Sequence, residues 1–210
     1  MENHIALFYD DKKYLISSLK NFIQIGINAG ETAVVIITND KWKLLQDDLN
    51  ACGIYTEDLV ASNPIRFVDA NMFLKLLCPE ADLVSEERFV ELIESSLGDF
   101  IISPCTRWYG EIVSLLCDAN LADQAVKLEG YWNNFLNKHG NIFLFCGYST
   151  RTMEKNGSTT SKNMIDICCN HSSTMISSAS FKNLIQLKDY AVSRVELALD
   201  NEMAFTTATV

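Results

Sequence analysis

The chain has 210 residues, 48% hydrophobic and 21% charged, the composition of one large globular domain with an appendage and not of a disordered, collagenous or rod-like chain. Seventeen Lys and Arg stand against 27 Asp and Glu, a formal net charge of −10, which removes the electrostatic attraction behind most nucleic-acid binding. No apolar run reaches the roughly 18 residues of a transmembrane helix and no basic-then-apolar leader opens the sequence, so a soluble, cytoplasmic protein without nucleic-acid or membrane partners is expected.

His4 to Tyr9 reads as a short apolar strand. From Tyr14 onward Leu15, Leu19, Phe22, Ile23 and Gly26 recur at helical spacing, and Gly30 closes that helix. Thr32 to Thr38 is a β-branched run without polar alternation, the pattern of a strand covered on both faces, and Asn39-Asp40 offers an N-cap for a helix through Asn50. Ile65 to Asp69 is a further strand, followed by a helix over Ala70 to Leu77 and another opened by Ser85, with Glu86 and Glu87 in its dipole-favoured first turn. Phe100 to Tyr109 contains a strand with ambiguous limits. Helices over Glu111 to Asp118 and Leu121 to Lys138 lead into an apolar strand, Asn141 to Tyr148. Strands interleaved with helices predict an α/β fold with a mostly parallel central sheet flanked by helices.

Lys155 to Asn163 is polar and Gly/Ser/Thr-rich, the pattern of a surface loop, and a short segment from Met164 to His171 follows it. Phe181 to Leu199 carries an apolar stripe of Leu184, Leu187, Ala191, Val195 and Ala198 and reads as a last amphipathic helix. The organisation expected is a domain over residues 1–178, a C-terminal helix over 179–203 and a frayed tail over 204–210, with the helix docked on its own domain, on a second copy in a homodimer, or on another protein.

Seven cysteines, mostly inside apolar segments, fit buried free thiols in a reduced compartment, and adjacent Cys168 and Cys169 lack the spacing of a zinc or redox pair. His4, His139 and His171 are far apart in sequence, and none has a ligand partner at i+3 or i+4, so neither a metal nor a cofactor is expected. On the helix from Leu121 the core stripe holds Leu121, Ala125, Leu128, Trp132 and Leu136, and 100° per residue sets Glu129 on the same inward face. A buried carboxylate needs a cation or a proton, and Arg107 is the natural partner. Arg107, Glu111 and Glu129 then form either a polar ligand-binding cluster at a strand's carboxyl end or a structural ion pair. Trp108, Tyr109, Trp132 and Tyr148 line an apolar pocket or fill the core, and His171 pairs with a nearby thiol or is a hydrogen-bonded structural residue. The first strand-to-helix turn, Tyr9-Asp10-Asp11-Lys12-Lys13, lacks the glycines of a phosphate loop and puts carboxylates where phosphates would sit.

A set of short motifs resembles the MEDS family, the sensory domain named after methanogen and methylotroph proteins and the dichloromethane-responsive regulator DcmR. The motifs are His4 with Phe8-Tyr9, Phe22-Ile23-x-x-Gly26, Gly30-Glu31, Asp69-Ala70, Arg107-x-x-Gly110-Glu111, Leu128-Glu129-x-x-Trp132-Asn133 and Cys168-x-x-His171, spanning residues 4 to about 175. Ile112 departs from the family's usual Met after the Gly-Glu pair. The resemblance implies a scaffold similar to the RecA/KaiC-type ATPases with the phosphate loop lost, and a non-enzymatic sensory role for a small organic, hydrocarbon-like ligand. Arg107, Trp108, Glu111, Glu129, Trp132, Tyr148 and His171 are the expected ligand contacts. The family is found with kinase and transcription-regulator modules; the sequence shows no such module, so signalling through a partner protein in trans is expected. The alternatives are a nucleotide-binding or ATP-hydrolysing protein of that scaffold and a ligand-free interaction module.

Overall fold

The computed structural model describes residues 3–62, 64–79, 84–151, 161–177 and 197–198. In chain order the elements are β1 (His4–Tyr9), α1 (Lys12–Asn28), β2 (Thr32–Ile37), α2 (Asn39–Ala51), α3 (Thr56–Ala61), β3 (Ile65–Asp69), α4 (Ala70–Leu77), α5 (Glu86–Ile101), β4 (Thr106–Gly110), α6 (Ile112–Asp118), α7 (Ala122–Lys138), β5 (Ile142–Ser149), α8 (Ser161–Cys169), β6 (Ser173–Ile176) and β7 (Leu197–Ala198). The strands join one sheet in the order β3-β2-β4-β5-β1-β6-β7. Every neighbouring pair is parallel, as the interleaved strands and helices predict.

The chain order explains the two helical layers. From β1 to β2 to β3 the chain moves one way across the sheet, and from β3 through β4, β5 and β6 it moves back. With right-handed crossovers, reversing direction moves the connecting helices to the opposite face. One face is accordingly packed by α1 and α2, whose Leu15, Leu19, Phe22, Leu45 and Leu49 meet Leu7, Val35, Tyr109 and Phe145. The other is packed by α4 to α8, with Phe73, Phe89, Leu116, Trp132 and Ile167 against Phe8, Val34, Trp108 and Leu144. A strand alternates its side chains between these layers, so β2, covered on both, needs the uninterrupted apolar run that it has.

Several boundaries differ from the sequence reading for identifiable reasons. The six-residue α3 is too short to show a periodicity, and β6 is only four residues long. Helix α5 continues through Ile101, which leaves β4 to start at Thr106. Thr38 and not Asn39 occupies the N-cap of α2. Leu121 is the residue before α7 and 43% exposed, off the core stripe assigned to it. Ser161, Lys162 and Asn163, read as the end of a polar loop, form the first turn of α8. The expected C-terminal helix and tail fall outside the described residues except at Leu197–Ala198, which pair with Thr174–Met175 of β6 as a short strand. Among the described residues no helix is long and apolar enough to cross a membrane.

Candidate functional site

Two features stand out, a buried polar cluster between the sheet and α7, and a crevice at the carboxyl ends of the strands. The cluster begins with strand alternation. In β1, Ala6 and Phe8 face the α7 layer, and in the adjacent β5, Leu144, Cys146 and Tyr148 do the same, in a register that pairs Ala6 with Cys146 and Phe8 with Tyr148. His4 starts β1 with the same parity. Above it, α7 delivers Glu129, fully buried, and the turn after α8 delivers His171.

Glu129 is the hub. Its Oε2 lies 3.2 Å from His4 Nε2 and 3.6 Å from His171 Nε2, and its Oε1 accepts from the Tyr148 hydroxyl. Cys146 Sγ sits 3.5 Å from His4 Nε2, and the two imidazole rings are 4.0 Å apart. Each imidazole is held from behind. His171 Nδ1 is 2.7 Å from the Ile167 carbonyl, which can only accept, so this nitrogen carries the proton and Nε2 presents its lone pair to the cluster. His4 Nδ1 is 3.0 Å from Asn133 Oδ1, whose amide is oriented by Nδ2 donating to the Asn170 carbonyl at 2.7 Å; His4 is therefore turned the same way.

Burial holds the His171 imidazole neutral, its pKa pulled down to about 4 by loss of solvent and then by His4. Burial alone would raise Glu129; positive charge at His171 and His4, with the hydrogen bond from the Tyr148 hydroxyl, is what would outweigh it and hold the carboxyl below its ordinary value. Burial, followed by the charge of Glu129, pushes the Cys146 thiol and the Tyr148 phenol well up. Neither Glu129 Oε2 nor His171 Nε2 has a hydrogen-bond partner, although both are buried. Among the described residues, His4, Glu129, Cys146 and His171 place one ligand-type atom each within 4.8 Å of the others.

Three of the seven expected contacts, Glu129, Tyr148 and His171, are thus brought together. Arg107 is not their partner, which corrects the pairing read from the sequence. In β4 it has the parity of Tyr109, opposite to Trp108, and so points to α1 while Glu129 lies on α7. Its Nε donates to Glu31 Oε2, and its guanidinium lies over the rings of Phe22 and Phe143. Trp108 and Trp132 pack edge to face within the core, with Phe89 and Phe135 around them. Glu111, the residue before α6, stands apart, its Oε2 accepting from the Thr38 amide at 3.0 Å and its other oxygen paired with Lys41. His4 and Cys146 are the members missed. His4 is a motif residue whose sequence neighbours offer no ligand partner, and an apolar strand gives no sign of what faces its cysteine.

The crevice, about 1150 Å³, crosses the carboxyl ends of β1, β2 and β5. There β1 and β5 lie side by side while their following helices leave on opposite faces, the switch point at which open α/β sheets bind ligands. Tyr9, Ile16, Lys41, Leu44, Asp118 and Arg151 are among its lining residues. The Tyr9 hydroxyl is buried without a hydrogen-bond partner. Lys12 is tied to Asp40 at 3.0 Å and Lys20 to Asp48 at 3.1 Å, which neutralises part of the rim.

The chain is thus a parallel α/β protein with a crevice at the switch point of its sheet, no glycine-rich phosphate loop after β1 and a buried His/Glu/Cys cluster. The model of the MEDS family, the methanogen/methylotroph, DcmR sensory domain, matches residues 3–172, and the chain belongs to that family of sensory domains. The matched span holds the whole cluster and the crevice residues. Searches of curated proteins and of solved structures give no match.

Proposed function

We propose that the protein is a signal-input domain that binds a small organic molecule in the switch-point crevice and relays its occupancy to a partner protein such as a kinase or transcription regulator, without catalysing a reaction. The observation carrying this reading is the crevice itself, with the unpartnered Tyr9 hydroxyl among its lining residues. Its apolar surface at Ile16 and Leu44 suits a short carbon skeleton, and Tyr9 with Lys41 suits one polar group on it. Nucleotide binding is disfavoured by the entry to α1: the Asp11 carboxylate occupies that helix N-terminus, accepting from the Lys13 amide at 2.9 Å, where a phosphate would have to sit.

A panel of small alcohols, amines, carboxylates and halogenated hydrocarbons, read by thermal shift and calorimetry with Mg-ATP as counter-probe, tests this. The expected result is at least one compound that raises the melting temperature, binds roughly five- to tenfold more weakly to Tyr9→Phe (the worth of one neutral hydrogen bond) and is excluded by Leu44→Trp. Mg-ATP should give no heat. Compounds that bind both variants as well as the parent, or micromolar Mg-ATP binding abolished by changing Lys12 or Lys13, would overturn the reading.

A further inference from the structure

The His4–Glu129–Cys146–His171 cluster poses an electrostatic problem that its hydrogen bonds leave open. With both imidazoles donating from Nδ1 to the outside, their Nε2 lone pairs and Glu129 Oε2 converge with no hydrogen between them. The Cys146 thiol lies 3.5 Å from His4 and also faces Glu129, yet Glu129 Oε2 and His171 Nε2 remain buried without a hydrogen-bond partner. Buried acceptors facing one another are costly. A single shared proton can bridge two of them and leaves the third unpaired.

We infer that these four side chains hold one divalent transition-metal ion of the zinc(II) type, bound by His4 Nε2, His171 Nε2, Glu129 Oε2 and Cys146 Sγ. Three of the six edges of the cluster are 3.2, 3.5 and 3.6 Å, and all six lie within 4.8 Å, so a bound ion draws the longer ones in. A tetrahedron with metal–nitrogen and metal–oxygen bonds of about 2.0 Å and a metal–sulfur bond of about 2.3 Å has edges of about 3.3 to 3.5 Å. Two imidazoles, a thiolate and a carboxylate are a borderline donor set, which selects zinc over magnesium or calcium. Charge also balances: the carboxylate and the thiolate together offset the ion's two positive charges, so the filled site is neutral in a region without solvent.

The outer contacts are those of a metal site. Each imidazole donates its remote N–H to an oxygen, Asn133 Oδ1 for His4 and the Ile167 carbonyl for His171, and Tyr148 donates to the carboxylate oxygen that faces away from the centre. On binding, the Cys146 thiol gives up its proton, which leaves with water as the metal–sulfur bond forms. Four protein ligands leave no open position, so the ion is structural. It ties β1, β5, α7 and the turn after α8, and Tyr148 in its outer layer immediately precedes Ser149 of the crevice wall. The inference stands on the cluster alone and does not depend on what the crevice binds.

The test uses the full chain, purified without a polyhistidine tag. Elemental analysis should find about one zinc per chain. Chelation should lower the melting temperature, and zinc(II) should restore it. Cobalt(II), substituted as probe, should give intense tetrahedral visible bands and a near-ultraviolet thiolate charge-transfer band. Cys146→Ser should remove the charge-transfer band while Cys117→Ser, a buried thiol outside the cluster, retains it. Asn133→Ala, which leaves all four ligands in place, should weaken zinc binding about 10- to 100-fold. His171→Gln should weaken it further, with the circular dichroism of the metal-free proteins unchanged. Protein that is metal-free as purified and whose melting temperature ignores zinc(II) would mean that the cluster holds only a shared proton, and the inference fails. It fails equally if the cobalt spectrum survives in both Cys146→Ser and His171→Gln.

Discussion

Gly26 and Gly147 are small because a neighbour occupies the space a side chain would need. A Cβ on Gly26 would lie 2.5 Å from Arg107 Cδ and 2.7 Å from Nε, and that side chain cannot swing aside because it is paired with Glu31 and lies over Phe22 and Phe143. A Cβ on Gly147 would strike the buried Tyr109 ring. Gly98 in α5 and Gly130 in α7 have nothing within 4 Å of the same position. Alanine at Gly26 or Gly147 should therefore cost about 1–3 kcal/mol through overpacking, whereas alanine at Gly98 or Gly130 should stabilise by about 0.5–1 kcal/mol through helix propensity. Urea denaturation of the four variants checks this, and a neutral Gly147→Ala would show that Tyr109 has room to move. Helix periodicity correctly sets Glu129 inward but does not identify Arg107 as the wrong cation, because it reports which way a side chain points and nothing about what it meets.

At the starts of α4 and α5 local sequence and structure agree. Asp69 caps α4 by accepting from the amides of Asn71 at 2.8 Å and Met72 at 3.4 Å, and it also accepts from the Asn39 side chain at the start of α2. Ser85 caps α5 through the Arg88 amide at 3.3 Å. Asp69→Ala should cost about 0.5–2 kcal/mol, with the helix content of the folded state retained. An unchanged denaturation midpoint would show that solvent satisfies those amides as well as the carboxylate does. Longer elements were legible because burial imposes a repeating pattern on them: β1 and β3 have the limits read from sequence, β2 differs only at Thr38, and α4 matches throughout. Elements such as α3 and β6 are too short to repeat, and their existence depends on what they pack against.

Across the whole molecule, β2, β4, β5 and β1 lie in the interior of the sheet and β3 forms one edge. Every residue of β4 is buried, while β3 exposes Arg66 and only partly covers Phe67 and Val68. Backbone amides in β4 and β5 should therefore exchange with solvent only through global unfolding, and those on the outer side of β3 at least tenfold faster through local opening (a difference of about 1.4 kcal/mol). Hydrogen–deuterium exchange by mass spectrometry measures this directly. Uniform protection across all strands would mean that the edge is covered.

The amino-acid sequence by itself determined the alternation of strands and helices, and hence a parallel sheet between two helical layers. It also placed Glu129 on the inward face of α7 and excluded a phosphate loop after β1. These properties follow from neighbouring residues: periodicity records which side of an element avoids water, and turn composition records what a few backbone amides can hold. Tertiary structure alone decided that β1 lies beside β5, that β4 turns Arg107 toward α1 and Glu31, and that positions 4, 129, 146 and 171 meet in one buried cluster. Strand order is set by the packing of whole layers, and no local pattern encodes it. Histidines with no partner at i+3 or i+4 consequently carried no visible signal until the sheet brought them within 4.0 Å of each other.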